Sequence, residues 1–127
     1  MAIFGLVPSA NHHSFDAISA AIEMQEATER LMKERTGKEK ETFGVGIGIN
    51  TGSAIVGNVG SHNRMNYTAI GDSVNVASRL QQIAKSGEII TGKETCNQAK
   101  ECFKTVKKGN IQVKNRMEPL EYYSILR

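Results

Sequence analysis

The chain has 127 residues, 39% of them hydrophobic and 23% charged, and a formal net charge of +3. This balance predicts one soluble globular domain with a sizeable core, and so small a charge gives no reason to expect a nucleic-acid partner. No apolar run approaches the roughly 20 residues of a membrane span, and the start lacks a signal-peptide pattern. Two cysteines and three histidines predict neither a disulfide framework nor a zinc site, so we expect a reduced, cytoplasmic chain.

The first third of the sequence predicts a strand and a long helix. The opening letters "MAIFG" are typical of a short buried strand. A helix is then predicted from Ser14, which would be its N-cap, with Asp16 favourable in the first turn and Gly37 as a stop. The residues of this helix expected to face the core, at helical spacing, are Ala17, Ile18, Ala21, Ile22, Met24, Thr28 and Leu31.

The rest of the sequence alternates strands with two helices. Residues 43–49 place large side chains and glycines alternately, which leaves one strand face bare and permits close approach of a backbone or a ligand. Residues 50–53 read as a turn, and 54–60 as the return strand of a hairpin. Further strands are predicted at 66–70, 88–92, about 111–114 and 120–126, and helices at 73–85 and 93–100. These elements predict an α+β fold, one sheet with helices packed against it.

The stretch "NYTAIGDSVNVASRL", residues 66–80, carries the candidate site. Asn75 and Arg79 are four residues apart in a predicted helix and therefore share a face, just after a strand that contains Thr68. Asp72 is expected to be the N-cap of that helix rather than a metal ligand. Taken singly, Asn75 and Arg79 could each be an ordinary surface residue. Two glycine patterns, at 44–48 and 87–93, match neither a dinucleotide fingerprint nor a phosphate-binding loop.

The stretches "GIGINTGSAIVGNVGS" and "NYTAIGDSVNVASRL" together resemble the catalytic domain of class III nucleotidyl cyclases, the adenylate and guanylate cyclases. These enzymes convert a nucleoside triphosphate to a 3′,5′-cyclic monophosphate and pyrophosphate. The likeness is densest over residues 43–91 and extends to "MAIFG" and to "IQVKNRMEPLEYY". It implies a ferredoxin-like sheet packed against helices and a role in intracellular signalling through cyclic AMP.

The resemblance also implies roles for four residues. Asn75 would orient the ribose, and Arg79 would stabilise charge on the α-phosphate. Lys114 aligns with the lysine that binds the triphosphate, although Asn115 follows it where the family usually has glycine. Thr68 occupies a position that reads the base, and threonine there is typical of the bacterial and soluble subgroup that responds to bicarbonate. Its hydroxyl can both donate and accept, which is compatible with adenine, so ATP is favoured over GTP.

In the family, two aspartates hold two divalent ions, magnesium or manganese, and in the resemblance both precede Met1. Two strands and two helices of the family pattern precede it as well. The chain is therefore expected to match the C-terminal two-thirds of the domain, with no metal ligand of its own and no activity alone. The expected partner is a second cyclase subunit in a head-to-tail homodimer, with Asn75 and Arg79 facing it and the bare glycine face near the nucleotide or the partner. The alternatives are a guanylyl cyclase, or a non-catalytic module that binds nucleotide or dimerises.

Overall fold

The computed structural model describes residues 1–6, 12–113 and 116–127, and the backbone alone at residues 59 and 64–66. In these ranges the chain forms three helices, α1 (His13–Gly37), α2 (Asp72–Ile83) and α3 (Lys93–Ala99). It also forms six strands, β1 (Ile47–Ile49), β2 (Ile55–Ser61), β3 (Arg64–Ile70), β4 (Ile89–Gly92), β5 (Lys104–Ile111) and β6 (Leu120–Leu126).

Four of these strands build the main sheet, in the order β1-β4-β6-β5. β1 and β4 run parallel, with Ile47 opposite Ile89, and the other two pairings are antiparallel. β2 and β3 form a separate antiparallel ribbon in which Ile55 lies opposite Ile70. The predicted α+β fold is therefore confirmed, with a small second sheet added to it.

The core lies on both faces of the main sheet. Successive residues of a strand point to opposite faces, and in β4 the buried Ile89 and Ile90 belong to different hydrophobic clusters. The cluster around Ile89 is completed by α1 and α3, and the cluster around Ile90 includes Val76 and Leu80 of α2. The main sheet is thus covered by α1 and α3 on one side and by α2 on the other.

The bare glycine face at residues 44–48 is filled by α2 and the segment that follows it. A Cβ atom added at Gly48 would lie 2.3 Å from the backbone nitrogen of Gln81, and one added at Gly46 would lie 2.7 Å from the carbonyl oxygen of Ala84. The close approach that glycine permits is therefore made by backbone of the same chain. The expectation that this face lies near nucleotide or a partner is wrong.

Two predictions of strand pairing are also wrong. Residues 1–5 form no strand: no described strand pairs with them, and Gly5 has φ +87°, outside the β region. β2 does not return along β1: it pairs with β3 over seven register positions, while β1 pairs with β4. β1 therefore lies at the edge of the main sheet, with β4 as its one described neighbour.

Helix α1 begins at His13, one residue before the predicted cap. Ser14 is buried, and its hydroxyl donates to Oε1 of Gln98 in α3 instead of capping the helix. The buried positions are Ser14, Ile18, Ala21 and Gln25, whereas the expected core residues Met24 and Leu31 are about half exposed. The buried side of α1 thus includes two polar residues, Ser14 and Gln25, whose side chains have hydrogen-bond partners inside the protein. Asp16 does lie in the first turn, as predicted.

Candidate functional site

The candidate site is built on a sharp junction between β3 and α2. Strand β3 ends at Ile70, and Gly71 caps the helix with φ +149°, a conformation that favours glycine. Its carbonyl oxygen accepts hydrogen bonds from the backbone nitrogens of Val74 and Asn75, at 3.1 and 3.2 Å. One residue thus turns the chain from strand to helix, so the first turn of α2 follows the ribbon directly.

Asn75 and Arg79 are exposed on the same face of α2, as their spacing predicted. Val76 and Leu80, the residues that follow each of them, are buried against the sheet and fix the rotation of the helix. Within the described part of the chain, Asn75 makes no side-chain hydrogen bond, and Arg79 makes a single long one, 3.4 Å to Gln82. An amide and a guanidinium are therefore available together to an outside ligand.

Of the other two predicted site residues, Thr68 lies within the described residues and Lys114 does not. Thr68 lies half-buried on β3, opposite Gly57 of β2, and its hydroxyl has no hydrogen-bond partner among the described residues. Lys114, together with Asn115, lies outside the described residues. The structure therefore brings Asn75 and Arg79 together and places Thr68 on the adjoining ribbon. The role of each of these residues stays a prediction.

The first turn of α2 is held by contacts that the sequence does not predict. Asn50 donates from Nδ2 to the carbonyl oxygen of Ser73 at 3.0 Å, and the hydroxyl of Ser73 donates to the carbonyl oxygen of Ser53 at 2.6 Å. Asp72 is not the N-cap: it is the first helical residue, and its carboxylate accepts from Nε of Arg116 at 3.0 Å and also from Nη2. The sequence predicts only a turn at Asn50, since nothing local in it indicates a contact 23 residues away.

A polar cavity of about 640 Å³ opens beside this first turn. Residues 50–53, Arg116, residues 118–121 and the start of α3 form its other walls. At its edge, the carboxylate of Glu121 accepts from the hydroxyl of Tyr123 at 2.7 Å and from Nζ of Lys107 at 3.2 Å. These hydrogen bonds lower the pKa of Glu121, and the same hydroxyl contact raises the pKa of Tyr123.

The described residues do not supply the metal site that the resemblance implies. Among them, no group of three or more His, Cys, Asp or Glu side chains is arranged to hold a metal ion. Asp72, the acidic residue nearest to Asn75 in sequence, is paired with Arg116. The candidate site itself presents the amide of Asn75, the hydroxyl of Thr68 and the guanidinium of Arg79. Within the described ranges, no helix has both the length and the apolar character needed to cross a membrane.

The fold and the motif on α2 define a nucleotidyl cyclase catalytic domain. Residues 1–126 match the sequence model of the family described as "Adenylate and Guanylate cyclase catalytic domain". The chain belongs to this family.

The curated relatives include proteins named adenylate cyclases. "Adenylate cyclase 1" of Rhizobium meliloti (strain 1021) is 32% identical over 116 residues, which are 90% of this chain and 17% of that protein. The "Adenylate cyclase" of Anabaena cylindrica is 42% identical over 73 residues, 54% of this chain and 14% of the relative. The chain thus spans only a small part of the length of either relative.

Solved structures of both kinds of cyclase share the fold. The adenylyl cyclase CyaB from P. aeruginosa superposes with a TM-score of 0.90 at 33% identity, over 98% of this chain and 65% of that one. The guanylyl cyclase Cya2 superposes with a TM-score of 0.86 at 28% identity, over 96% of this chain and 62% of that one. The chain covers about two-thirds of either solved domain.

Proposed function

We propose that the protein carrying this chain is an adenylyl cyclase, which converts ATP to 3′,5′-cyclic AMP and pyrophosphate for intracellular signalling. The observation that carries the proposal is the joint exposure of Asn75 and Arg79 on one face of α2, inside a chain that belongs to the cyclase family. Because Val76 and Leu80 are buried in the core, the backbone positions of Asn75 and Arg79 on α2 are fixed relative to the sheet. The names of the adenylate cyclase relatives support ATP as the substrate.

The reaction is an in-line attack of the ribose 3′-oxygen on the α-phosphorus, with pyrophosphate as the leaving group. Such a step asks the protein mainly for orientation and for neutralisation of negative charge. The amide of Asn75 can hydrogen-bond the ribose and hold the attacking oxygen in line. The guanidinium of Arg79 stays charged at any working pH, and its planar fork matches two oxygens of the α-phosphate.

A second copy of the chain is proposed to complete the site. Arg79 is open to water, and electrostatic stabilisation by an exposed charge is weak until the site is closed. The ribbon of β2 and β3 meanwhile exposes Ile55, Tyr67 and Ile70, which are 78, 65 and 48% accessible. A lone two-stranded ribbon is marginal in water, and the exposed Ile55 and Ile70 lie opposite each other on one of its faces, where they offer an apolar surface to a partner. A head-to-tail homodimer would cover the ribbon and close the site over Arg79.

Two finer points belong to the same proposal. The hydroxyl of Thr68 would read adenine by donating to N1 or accepting from the amino group, and Lys114 would bind the triphosphate. Cyclases of this family generally use divalent metal ions, so assays should contain magnesium or manganese. The reaction is proposed to take place in the cytoplasm, in keeping with Cys96 and Cys102, which are free thiols in this structure.

The test measures cyclic nucleotide production by chromatography, with the full-length protein and either ATP or GTP. Arg79→Ala and Asn75→Ala should each lower kcat about 100-fold, because each removes a contact made to the transition state. Gln81→Ala and Lys85→Ala, exposed neighbours on and just after the same helix, serve as the matched amide and charge controls and should keep full activity.

Three outcomes would contradict parts of this proposal. Cyclic GMP as the main product would make the protein a guanylyl cyclase. No cyclic nucleotide from either substrate, with the protein folded, would leave a non-catalytic module. Light scattering at micromolar concentration should give the mass of a dimer in the presence of an ATP analogue, and a monomer would remove the second copy from the site.

A further inference from the structure

The turn that follows β1 is joined to the first turn of α2 by side-chain hydrogen bonds. Nδ2 of Asn50 donates to the carbonyl oxygen of Ser73 at 3.0 Å, and the hydroxyl of Ser73 donates to the carbonyl oxygen of Ser53 at 2.6 Å. Ser73 lies two residues before Asn75 in the same helix. The N-terminal end of α2, and with it the backbone of Asn75, is therefore held by the turn after β1.

A glycine makes room for the side chain of Asn50. This residue follows β1 directly, and β1 pairs with β4 so that Ile49 lies opposite Thr91, which places Asn50 beside Gly92. A Cβ atom added at Gly92 would lie 2.5 Å from Oδ1 of Asn50, whereas an ordinary contact is 3.4 Å or more. A larger residue at the end of β4 would therefore collide with the amide that holds α2.

The same turn is fixed to the core on its other side. The hydroxyl of Thr51 is hydrogen-bonded to the hydroxyl of Thr95 in α3 at 2.7 Å and to the hydroxyl of Ser14 in α1 at 3.3 Å. Both of these partners are buried. Because the residue next to Asn50 is held by two helices, the hydrogen bond from Asn50 starts from a fixed point and can set the position of α2.

We infer that Asn50 is a positioning residue, which places Asn75 by holding the first turn of α2, and that Gly92 is needed to admit its side chain. This inference rests on the proposed cyclase function, in which Asn75 orients the ribose. Asn50 acts through the backbone of α2 and needs no contact with the nucleotide. Loss of its hydrogen bond should lower kcat and leave KM almost unchanged, because the attacking oxygen would be oriented less well in the transition state.

Two substitutions remove the hydrogen bond in different ways. Asn50→Asp keeps the size of the side chain, but a carboxylate cannot donate to the carbonyl oxygen of Ser73. Gly92→Ala pushes the amide of Asn50 aside, and alanine readily adopts the φ of −75° found at this position. In the full-length protein, each variant should lower kcat for cyclic AMP production about tenfold and keep KM for ATP within about twofold. Tm should fall by about 6 °C at most, since one hydrogen bond is lost.

A double-mutant cycle with Asn75 distinguishes positioning from direct contact with the nucleotide. When Asn75→Ala is already present, Asn50→Asp should lower kcat by a further factor of less than about two, because the group that it positions is gone. The matched control is Asn97→Asp. Asn97 lines the same polar cavity as Asn50, and its side chain makes no hydrogen bond among the described residues. This control adds the same charge beside the cavity and should keep wild-type kcat and KM.

The possible results separate this inference from the proposed function. If wild type makes no cyclic nucleotide, or its kcat does not depend on Asn75, the cyclase proposal fails and the inference fails with it. If wild type is active and depends on Asn75, but neither Asn50→Asp nor Gly92→Ala lowers kcat, the inference alone is overturned. It is also overturned if Asn50→Asp acts equally with and without the Asn75 side chain, or if Asn97→Asp has the same effect. Should Asn50→Asp fail to fold, Gly92→Ala decides the question.

Discussion

Replacing Gly48 by alanine tests whether the position of α2 on the sheet determines the catalytic rate of the site. The added Cβ would lie 2.3 Å from the backbone nitrogen of Gln81 and 2.8 Å from the carbonyl oxygen of Ala77, whereas an ordinary contact is 3.4 Å or more. Because both atoms belong to the backbone of α2, no rotamer change relieves the overlap. The helix must retreat by about 1 Å, which is the difference between the observed and ordinary separations.

This displacement has an expected cost in stability and in rate. Overpacking of this kind costs about 2 kcal/mol, which corresponds to a Tm roughly 6–12 °C lower for a domain of this size. Moving catalytic groups by about 1 Å costs about 100-fold in kcat, so Arg79 would lose most of its effect in a protein that is still folded. Thermal denaturation by circular dichroism gives the Tm, and cyclic AMP production gives kcat.

The matched control for this variant is Gly57→Ala in β2. A Cβ at Gly57 has no atom within 4 Å, so the same chemical change should leave Tm almost unaltered. If Gly48→Ala retained wild-type Tm and kcat, the claim that close backbone contact at Gly48 positions α2 would be refuted. If it lost stability without losing kcat, the helix would be seated as described but its position would not govern catalysis.

Two further expectations concern buried and surface polar contacts. Gln25→Leu should lower the free energy of unfolding by about 1–3 kcal/mol in denaturant titrations, because its buried amide donates to the carbonyl oxygens of Val45 and Glu88 at 2.8 and 3.2 Å. An unchanged midpoint would mean that these carbonyls have other donors. Tyr123→Phe should raise the pKa of Glu121 towards its ordinary value in an NMR titration, since the tyrosine hydroxyl is the largest cause of its lowering. The stabilisation from Glu121 is therefore present above the ordinary carboxyl pKa and is lost as pH falls through the lowered one, and an unmoved pKa in the variant would contradict this cause.

Most later elements could be predicted from sequence, but the pairing of strands could not, and the strand expected at about 111–114 lies earlier, as β5 at Lys104–Ile111. Helical spacing and glycine placement gave the bounds of α2 and α3 within two residues, and the bounds of β4 and β6 were predicted within one. Alternation with a period of two residues identifies a strand but does not show which strand it pairs with. Nothing local in the sequence therefore indicated that β2 pairs with β3 and that β1 pairs with β4.

The same limit applies to the site. Asn75 and Arg79 could be placed on one face because their relation is local to a helix, and the structure confirms that geometry. Asn50 and Arg116 were missed because their partners are 23 and 44 residues away. The burial of Ser14 and Gln25 could not be predicted, because polar side chains are buried where distant parts of the chain supply hydrogen-bond partners, and the local sequence does not show those partners.

Helix α2 uses different residues for packing and for chemistry, and this division has an evolutionary consequence. Its inner side packs against the backbone of Gly46 and Gly48, where an added Cβ atom would collide. Mutation of these glycines should therefore destabilise the domain whatever its substrate. Its outer side, with the exposed Asn75 and Arg79, contributes little to the free energy of folding, so substitutions there would leave the fold intact. A lineage could abandon or alter the reaction by changing the outer side alone and still inherit an intact domain.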